Sequence, residues 1–435
     1  MAIIAQRLRL LWGSLLILPL IYLYWPRNVS HLLHKRPWRR ASGPIANATA
    51  GFSKILVINR PARTDRRDAM VLAAAVSNLT LEWVDGVDGD TVEERVLPPG
   101  DRRKHKSSDA AVRGSWRAHM NALHRVVEEG LPSALIMEDD VDWDLRIKSQ
   151  LQTFGAASKA WLQTSHETIT PPAALLDPPR SDIYHEPPAL ADHPYGEGWD
   201  VLWLGHCGTD FPDAGTGSLP LLRVVIPDDP TVPAPQHLKP PPFASHDALG
   251  DLYPPHTRVV HATSSPSTAC TLTYAVSQRG AQKLLWQFGL EDFSSQWDLM
   301  LGKWCAGGYV DGKVDVDDGD GGDVDHGNDK ARVDTGIAVG AEKLHSNERR
   351  ERRVRGQRPR PRQQPTCLTV QPPIFGHHFA KKGASDIRGQ GGGYVTKTGT
   401  PYVRWSVRMN LDVLTEGGTA SDVVDQLPDE DEARW

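Results

Sequence analysis

The chain has 435 residues, 39% of them hydrophobic, a net charge of −5 and a pI near 6.4. That mildly acidic balance gives no electrostatic ground for a nucleic acid partner, and no nucleic acid is expected. The length suffices for one large domain or two small ones, yet several segments are too poor in apolar residues to join a core.

Arg7 and Arg9 precede an uncharged run, Leu10 to Trp25, "LLWGSLLILPLIYLYW". As a helix it would cover about 24 Å, which suits the thinner bilayers of the early secretory pathway. No small-x-small cleavage site follows, so residues 10–25 read as an uncleaved transmembrane signal anchor behind a cytoplasmic tail at 1–9. By the positive-inside rule, Arg27, Lys35, Arg36, Arg39 and Arg40 would place the body in the cytoplasm. Against them stand three glycosylation sequons at Asn28, Asn47 and Asn78, usable only in the lumen. The expectation is therefore a single-pass Golgi or endoplasmic reticulum membrane protein. Its domain would be luminal, a polar stem would occupy 28–50, and glycans would sit on Asn47 and Asn78.

Past the stem, apolar runs alternate with helical periodicity. "KILVI" at 54–58 predicts a buried strand, 65–77 a helix and "LEWV" at 81–84 a second strand. In "SWRAHMNALHRVVEE", 115–129, Trp116, Met120, Leu123 and Val127 share one helical face. "ALIM" at 134–137 returns to strand and runs into Glu138, Asp139 and Asp140. A helix is expected from near Asp144. Pro-rich stretches near 166–196 and 227–256 read as long loops. Between and after them come strands "DVLWL" at 200–204 and "TLTYAVS" at 271–277, then a helix over 278–288. Strands alternating with helices predict an α/β fold with a mostly parallel central sheet and helices on both faces.

From Ala306 to Gln364 the pattern stops. Eight aspartates crowd 311–329 and eight arginines crowd 349–362. Neither block can bury enough apolar surface to offset its ordering entropy, so a disordered insert is expected within a domain spanning 53–410. No frame of the acidic half matches a calcium loop. "GQGGGY" at 389–394 is not a phosphate loop, having no strand before it, and 411–435 reads as an acidic tail. Cys207, Cys270, Cys305 and Cys367 allow two disulfides in three pairings, or four buried thiols.

In an open α/β sheet, ligands bind beyond the carboxyl ends of the strands, where Glu138, Asp139 and Asp140 fall. Three adjacent carboxylates repel one another, and a divalent cation relieves that. Hard oxygen ligands point to Mn²⁺ or Mg²⁺, and these bind phosphates. The plainer alternative is a solvated acidic turn.

"LIMEDDVDWD" resembles the Glu-Asp-Asp element of glycosyltransferase family 25, which includes collagen and lipooligosaccharide galactosyltransferases. Other parts follow in order. "ILVINRPARTDRRDAM" at 55–70 resembles the family's opening strand and its Arg-x-Asp-Arg turn. "GSWRAHMNAL" resembles its Gly-x-x-x-Ser-His helix, with Ala118 where Ser is usual. "TYAVSQRGAQKLL" resembles its Ser-x-x-Gly-Ala element, and Asp298 its late Asp. "YGEGWDVLWLGHCG" and "CLTVQPPIFGHH" resemble the fungal branch. The resemblance implies a GT-A type nucleotide-diphospho-sugar transferase fold and inverting transfer of a sugar, typically galactose, from a UDP-sugar to a glycan or protein-linked acceptor. It also implies that Asp140, with Glu138 or Asp139, holds the metal. Asn59, Arg63, Arg66, Glu138 and Asp139 would bind donor, Asp298 would be the general base, and His119 would orient the nucleotide or the base. His377 and His378 are candidates for a further metal contact. Trp143 and Trp203 are candidates for sugar stacking, with core packing as their default role. Two rivals remain at this stage: a catalytically inactive membrane-anchored binding or scaffold protein, and a metal-dependent phosphoester hydrolase.

Overall fold

The run at 54–58 forms β1 (Lys54–Asn59), followed by α1 (Thr64–Val76) and β2 (Glu82–Asp85). Helix α2 (Ala110–Glu128) starts ahead of the expected position because Asp109 caps it, its carboxylate accepting from the Ala111 N–H at 3.1 Å. Its buried face carries Trp116, Met120, Leu123 and Val126. Val127, the residue expected there, sits at the edge of that face and is half-buried. Then come β3 (Ser133–Glu138), a short β4 (Val141–Trp143) and α3 (Ile147–Glu167). The remaining strands are β5 (Asp182–Ile183), β6 (Val201–Gly205), β7 (Arg223–Ile226), β8 (Arg258–Ala262), β9 (Thr273–Ser277), β10 (Cys367–Gln371) and β11 (Phe375–His377). Between them lie helices α4 (Ala248–Leu252), α5 (Gln278–Trp286) and α6 (Trp297–Cys305), with α7 (Leu411–Thr415) after β11. Helix α5 ends at Trp286, short of Phe288, and widens into a π-turn over Gln287–Glu291.

This computed structural model describes residues 43–99, 109–167, 182–183, 193–212, 221–240, 247–263, 268–310, 363–379, 398–419 and 421–433. The expected tail and anchor, Asn28, most of the stem, 389–394 and nearly all of 306–364 lie outside them. Among the described residues no helix is long and apolar enough to cross a membrane.

The sheet order is β2-β1-β3-β9-β6-β10-β8-β7-β5. β2, β1, β3, β6, β10, β7 and β5 run one way, and β9 and β8 run against them. The central sheet is thus mostly parallel, with β9 wedged between β3 and β6. One face packs Val57, Leu135 and Met137 against Met70 and Ala73 of α1 and Phe154 and Trp161 of α3. Helices α2, α5 and α6 pack together over the other face, where Trp116 of α2 donates its indole N–H to the Phe288 carbonyl at 3.0 Å.

The Ser-x-x-Gly-Ala stretch acquires a mechanical reason. Ser277 caps α5, its hydroxyl accepting from the Gly280 N–H at 3.0 Å. Buried Asp200, just ahead of β6, binds Arg279 at 2.7 Å, Lys283 at 2.8 Å and the Thr366 N–H at 3.0 Å. A Cβ on Gly280 would lie 2.1 Å from the Asp200 carbonyl oxygen, so only glycine lets the helix seat on that strand. Gly280→Ala is expected to cost about 2 to 3 kcal/mol, read as a lowered urea midpoint. An unchanged midpoint would mean that the helix can slide without penalty.

The cysteines pair as Cys207–Cys270 and Cys305–Cys367, each with Cα atoms 5.5 Å apart. Contacts divide the chain into Met1–Ala306 with Pro365–Trp435, and Gly307–Gln364. The segment expected to be a tail is folded onto the domain over its described residues. Leu427 is fully buried, and Gln426 donates to the Thr400 carbonyl at 3.0 Å. Arg404 gathers the local acids, reaching Asp425 at 2.6 Å and Asp429 at 3.1 Å.

Candidate functional site

Alternation along β3 turns Glu138 to one face, and Asp139 and Asp140 fall in the turn after the strand, so the three acids do not share one face. Asp139 goes to the α1 side. There its carboxylate accepts from Asn59 at 2.8 Å, at the end of β1, and from Arg66 at 2.6 Å, in the first turns of α1. Arg66 also donates to Asp140 at 2.9 Å, and the His377 imidazole lies 3.3 Å from the same Asp140 oxygen. Glu138 faces the other way. Its carboxylate accepts from the Thr271 hydroxyl at 2.9 Å and lies 3.6 Å from Nε2 of His119. The expected cluster of three is therefore a pair, Asp139 and Asp140, plus a separate acid whose side chain is 30% exposed.

The pair's repulsion is relieved largely within the chain. Burial and the Asp140 charge push Asp139 up, while Arg66 pulls it back. Burial also works against ionised Asp140, but His377, Arg66 and Arg408 hold it below the usual carboxylate range. Arg63, by contrast, turns back on its own helix start and binds Asp65, which it lowers to about 2.

Arg408 carries no motif that would single it out in the sequence. Its Nη2 donates to the Asp139 carbonyl oxygen at 2.6 Å across a separation of 269 residues. The neighbouring acids of the run explain how it arrives there. Asp142, fully buried, accepts from the Thr400 hydroxyl at 2.6 Å, from the Ser406 hydroxyl and from the Arg408 N–H at 3.1 Å. Asp144 accepts from the Arg146 guanidinium at 2.7 Å and from the Trp405 N–H at 3.2 Å. These two aspartates anchor the segment that delivers Arg408. His378 belongs to the same anchor, bound to the Thr400 hydroxyl at 3.1 Å and lowered by burial to about 4.

Among the described residues, four buried polar atoms of this site have no partner: Asn59 Oδ1, Asp140 Oδ1, His377 Nδ1 and Arg408 Nε. Buried polar atoms are almost always satisfied, so a group of orphans around one charged turn marks a place shaped for a polar ligand. Among the described residues no three His, Cys, Asp or Glu side chains converge as a metal shell. Mg²⁺-like cations are commonly bound through one or two protein ligands plus phosphate oxygens and water. Asp140 Oδ1 and His377 Nδ1 are the atoms here that a cation could take, and a diphosphate and water would have to supply its remaining ligands.

The residues on the Glu138 side form a second group. His119 is buried, hydrogen-bonded to the Tyr274 hydroxyl at 2.9 Å and stacked on Trp297 with centroids 5.2 Å apart. Asp298 lies near it with both oxygens in use, one on the Cys270 N–H at 2.8 Å and one on the Leu299 N–H at 2.9 Å. Burial raises Asp298, and the nearby Glu138 charge adds to that. Trp143 and Trp203 are fully buried, with their N–H groups spent on Ser77 and on the Gly205 and Cys270 carbonyls, so both are core residues. Asn47 and Asn78 are exposed.

The fold is thus α/β with a mostly parallel central sheet, a class in which ligands bind beyond the carboxyl ends of the strands. No family model matches the chain. Over 111 residues, 23% of this chain, it is 26% identical to procollagen galactosyltransferase 1 of Danio rerio and 30% identical to procollagen galactosyltransferase 2 of Homo sapiens. Over 118 residues it is 27% identical to the probable inactive glycosyltransferase 25 family member 3 of Bos taurus. These matches span 18 to 20% of the relatives' own lengths.

Proposed function

We propose that the chain is a glycosyltransferase with a GT-A type fold. It transfers a sugar, galactose by resemblance, from a UDP-sugar to a glycan or protein-linked acceptor with inversion. On this reading residues 10–25 anchor it in a Golgi or endoplasmic reticulum membrane, with the domain in the lumen and Asn47 and Asn78 glycosylated. The observation that carries the reading is the set of orphaned polar atoms around Asp139–Asp140 at a strand end. The similarity to galactosyltransferases supports it.

Asp140 and His377 would hold Mn²⁺ or Mg²⁺, which when bound neutralises charge on a diphosphate leaving group. Asn59 and Arg66 fix Asp139 and with it the turn that presents Asp140. An inverting displacement also needs a proton acceptor for the attacking hydroxyl. Asp298 has both oxygens committed to backbone N–H groups, whereas Glu138 meets the Thr271 hydroxyl and His119 through one and the same oxygen among the described residues. Glu138 therefore takes that role. The acceptor hydroxyl passes its proton to Glu138 as its oxygen bonds to the sugar carbon, and the bond to the diphosphate oxygen breaks with the electron pair leaving on the diphosphate.

Nucleotide release from a panel of UDP-sugars, with and without chelator, tests the reading. Glu138→Gln is expected to lower transfer at least about 100-fold while UDP still binds. Asp298→Asn is expected mainly to lower stability. Undiminished transfer by Glu138→Gln would remove it as the base. The bovine relative's printed name motivates a second reading, a nucleotide-sugar binding protein without turnover. Tight donor binding with no release of nucleotide would establish that one instead.

A further inference from the structure

We propose that Arg408 is a phosphate-binding residue, its Nε–H meeting an oxygen of the donor's diphosphate. The proposal deepens the transferase reading and rests on it for the identity of the ligand. The side chain enters the site from 398–410, a segment that continues past the 366–378 element and is tied down independently of any ligand. The Val407 N–H bonds to the Trp143 carbonyl at 2.9 Å and the Leu145 N–H to the Trp405 carbonyl at 3.0 Å, beside the bonds to Asp142 and Asp144. The backbone that carries Arg408 is thus held against β4, and the guanidinium is placed rather than adrift.

One edge of that guanidinium is spent on the Asp139 carbonyl, while Nε is buried with no partner among the described residues. An idle N–H on a buried cation is costly, and a planar guanidinium matches phosphate oxygens in both charge and geometry. Burial lowers the Arg408 pKa, and the charges of Asp142, Asp140 and Asp139 oppose that without reversing it. The orphans also sort by chemistry. Asp140 Oδ1 and Asn59 Oδ1 are acceptors suited to a cation or a hydroxyl. Arg408 Nε can only donate, so it faces the anionic part of whatever fills the site.

The test uses the full-length chain with Mn²⁺ present and titrates pyrophosphate, UDP and uridine into wild type, Arg408→Gln and Arg408→Lys. Wild type is expected to bind both diphosphates. Arg408→Gln should weaken pyrophosphate and UDP about 10- to 100-fold and leave uridine unchanged, because a charge-assisted bond to phosphate is lost and the base contacts are not. A merely structural arginine would weaken uridine in the same proportion, and that result overturns the proposal. So does unchanged pyrophosphate affinity. Should Arg408→Gln not fold, Arg408→Lys keeps a positive charge without the Nε donor. It is expected to bind pyrophosphate several-fold more weakly, with equal affinity again counting against the idea. Wild type that binds pyrophosphate but no UDP-sugar would leave Arg408 in place and remove the donor reading.

Discussion

Asp140→Asn is expected to fold and to lose transfer by at least about 100-fold, the scale on which removing one preorganised electrostatic group acts. The substitution keeps the size of the side chain and one oxygen, and it removes the charge that Arg66 and His377 hold in place. Wild type should bind Mn²⁺ and UDP together far better than either alone, since on the proposed reading the diphosphate would complete a shell begun by Asp140 and His377. The variant should lose that synergy and its activity together. Activity at the wild-type level, or a wild-type enzyme indifferent to chelator, would reduce the acidic turn to a structural element neutralised by Arg66 alone.

Asp142→Ala should be the most destabilising change in the acidic run, at about 3 kcal/mol or more. The Thr400 and Ser406 hydroxyls and the Trp143 and Arg408 N–H groups would all be left facing an apolar methyl in a fully buried place. Diphosphate binding should fail with it, because the segment carrying Arg408 loses its mooring. Urea unfolding and pyrophosphate titration of the same preparation read both effects. A variant with an unchanged midpoint would show that 398–410 is held by the other contacts.

Much of the sheet was legible because strand and helix periods are local signals. "KILVI", "ALIM" and "DVLWL" are apolar runs too short for helices, and each became a strand. The position of the acidic turn followed from where the second of those runs stops. The grouping of its acids did not, because reading them as one cluster ignored the alternation that turns Glu138 to one face. That signal was available in the sequence. Arg408 offered none: it lies 269 residues from its partner, in a stretch without apolar periodicity, and only the tertiary fold brings the two together. The same holds for Asp298, offered as a base by resemblance, whose bond from the Cys270 N–H only the tertiary fold supplies.

Cys305 and Cys367 stand at the last residue of α6 and the first of β10. Everything between them is a covalent side-loop whose two stalks are fixed by one bond. The helix and the strand cannot be drawn apart by what hangs between them, however long or charged that stretch becomes. Two blocks as opposed as eight aspartates and eight arginines fall within the ring of sequence that this one bond closes.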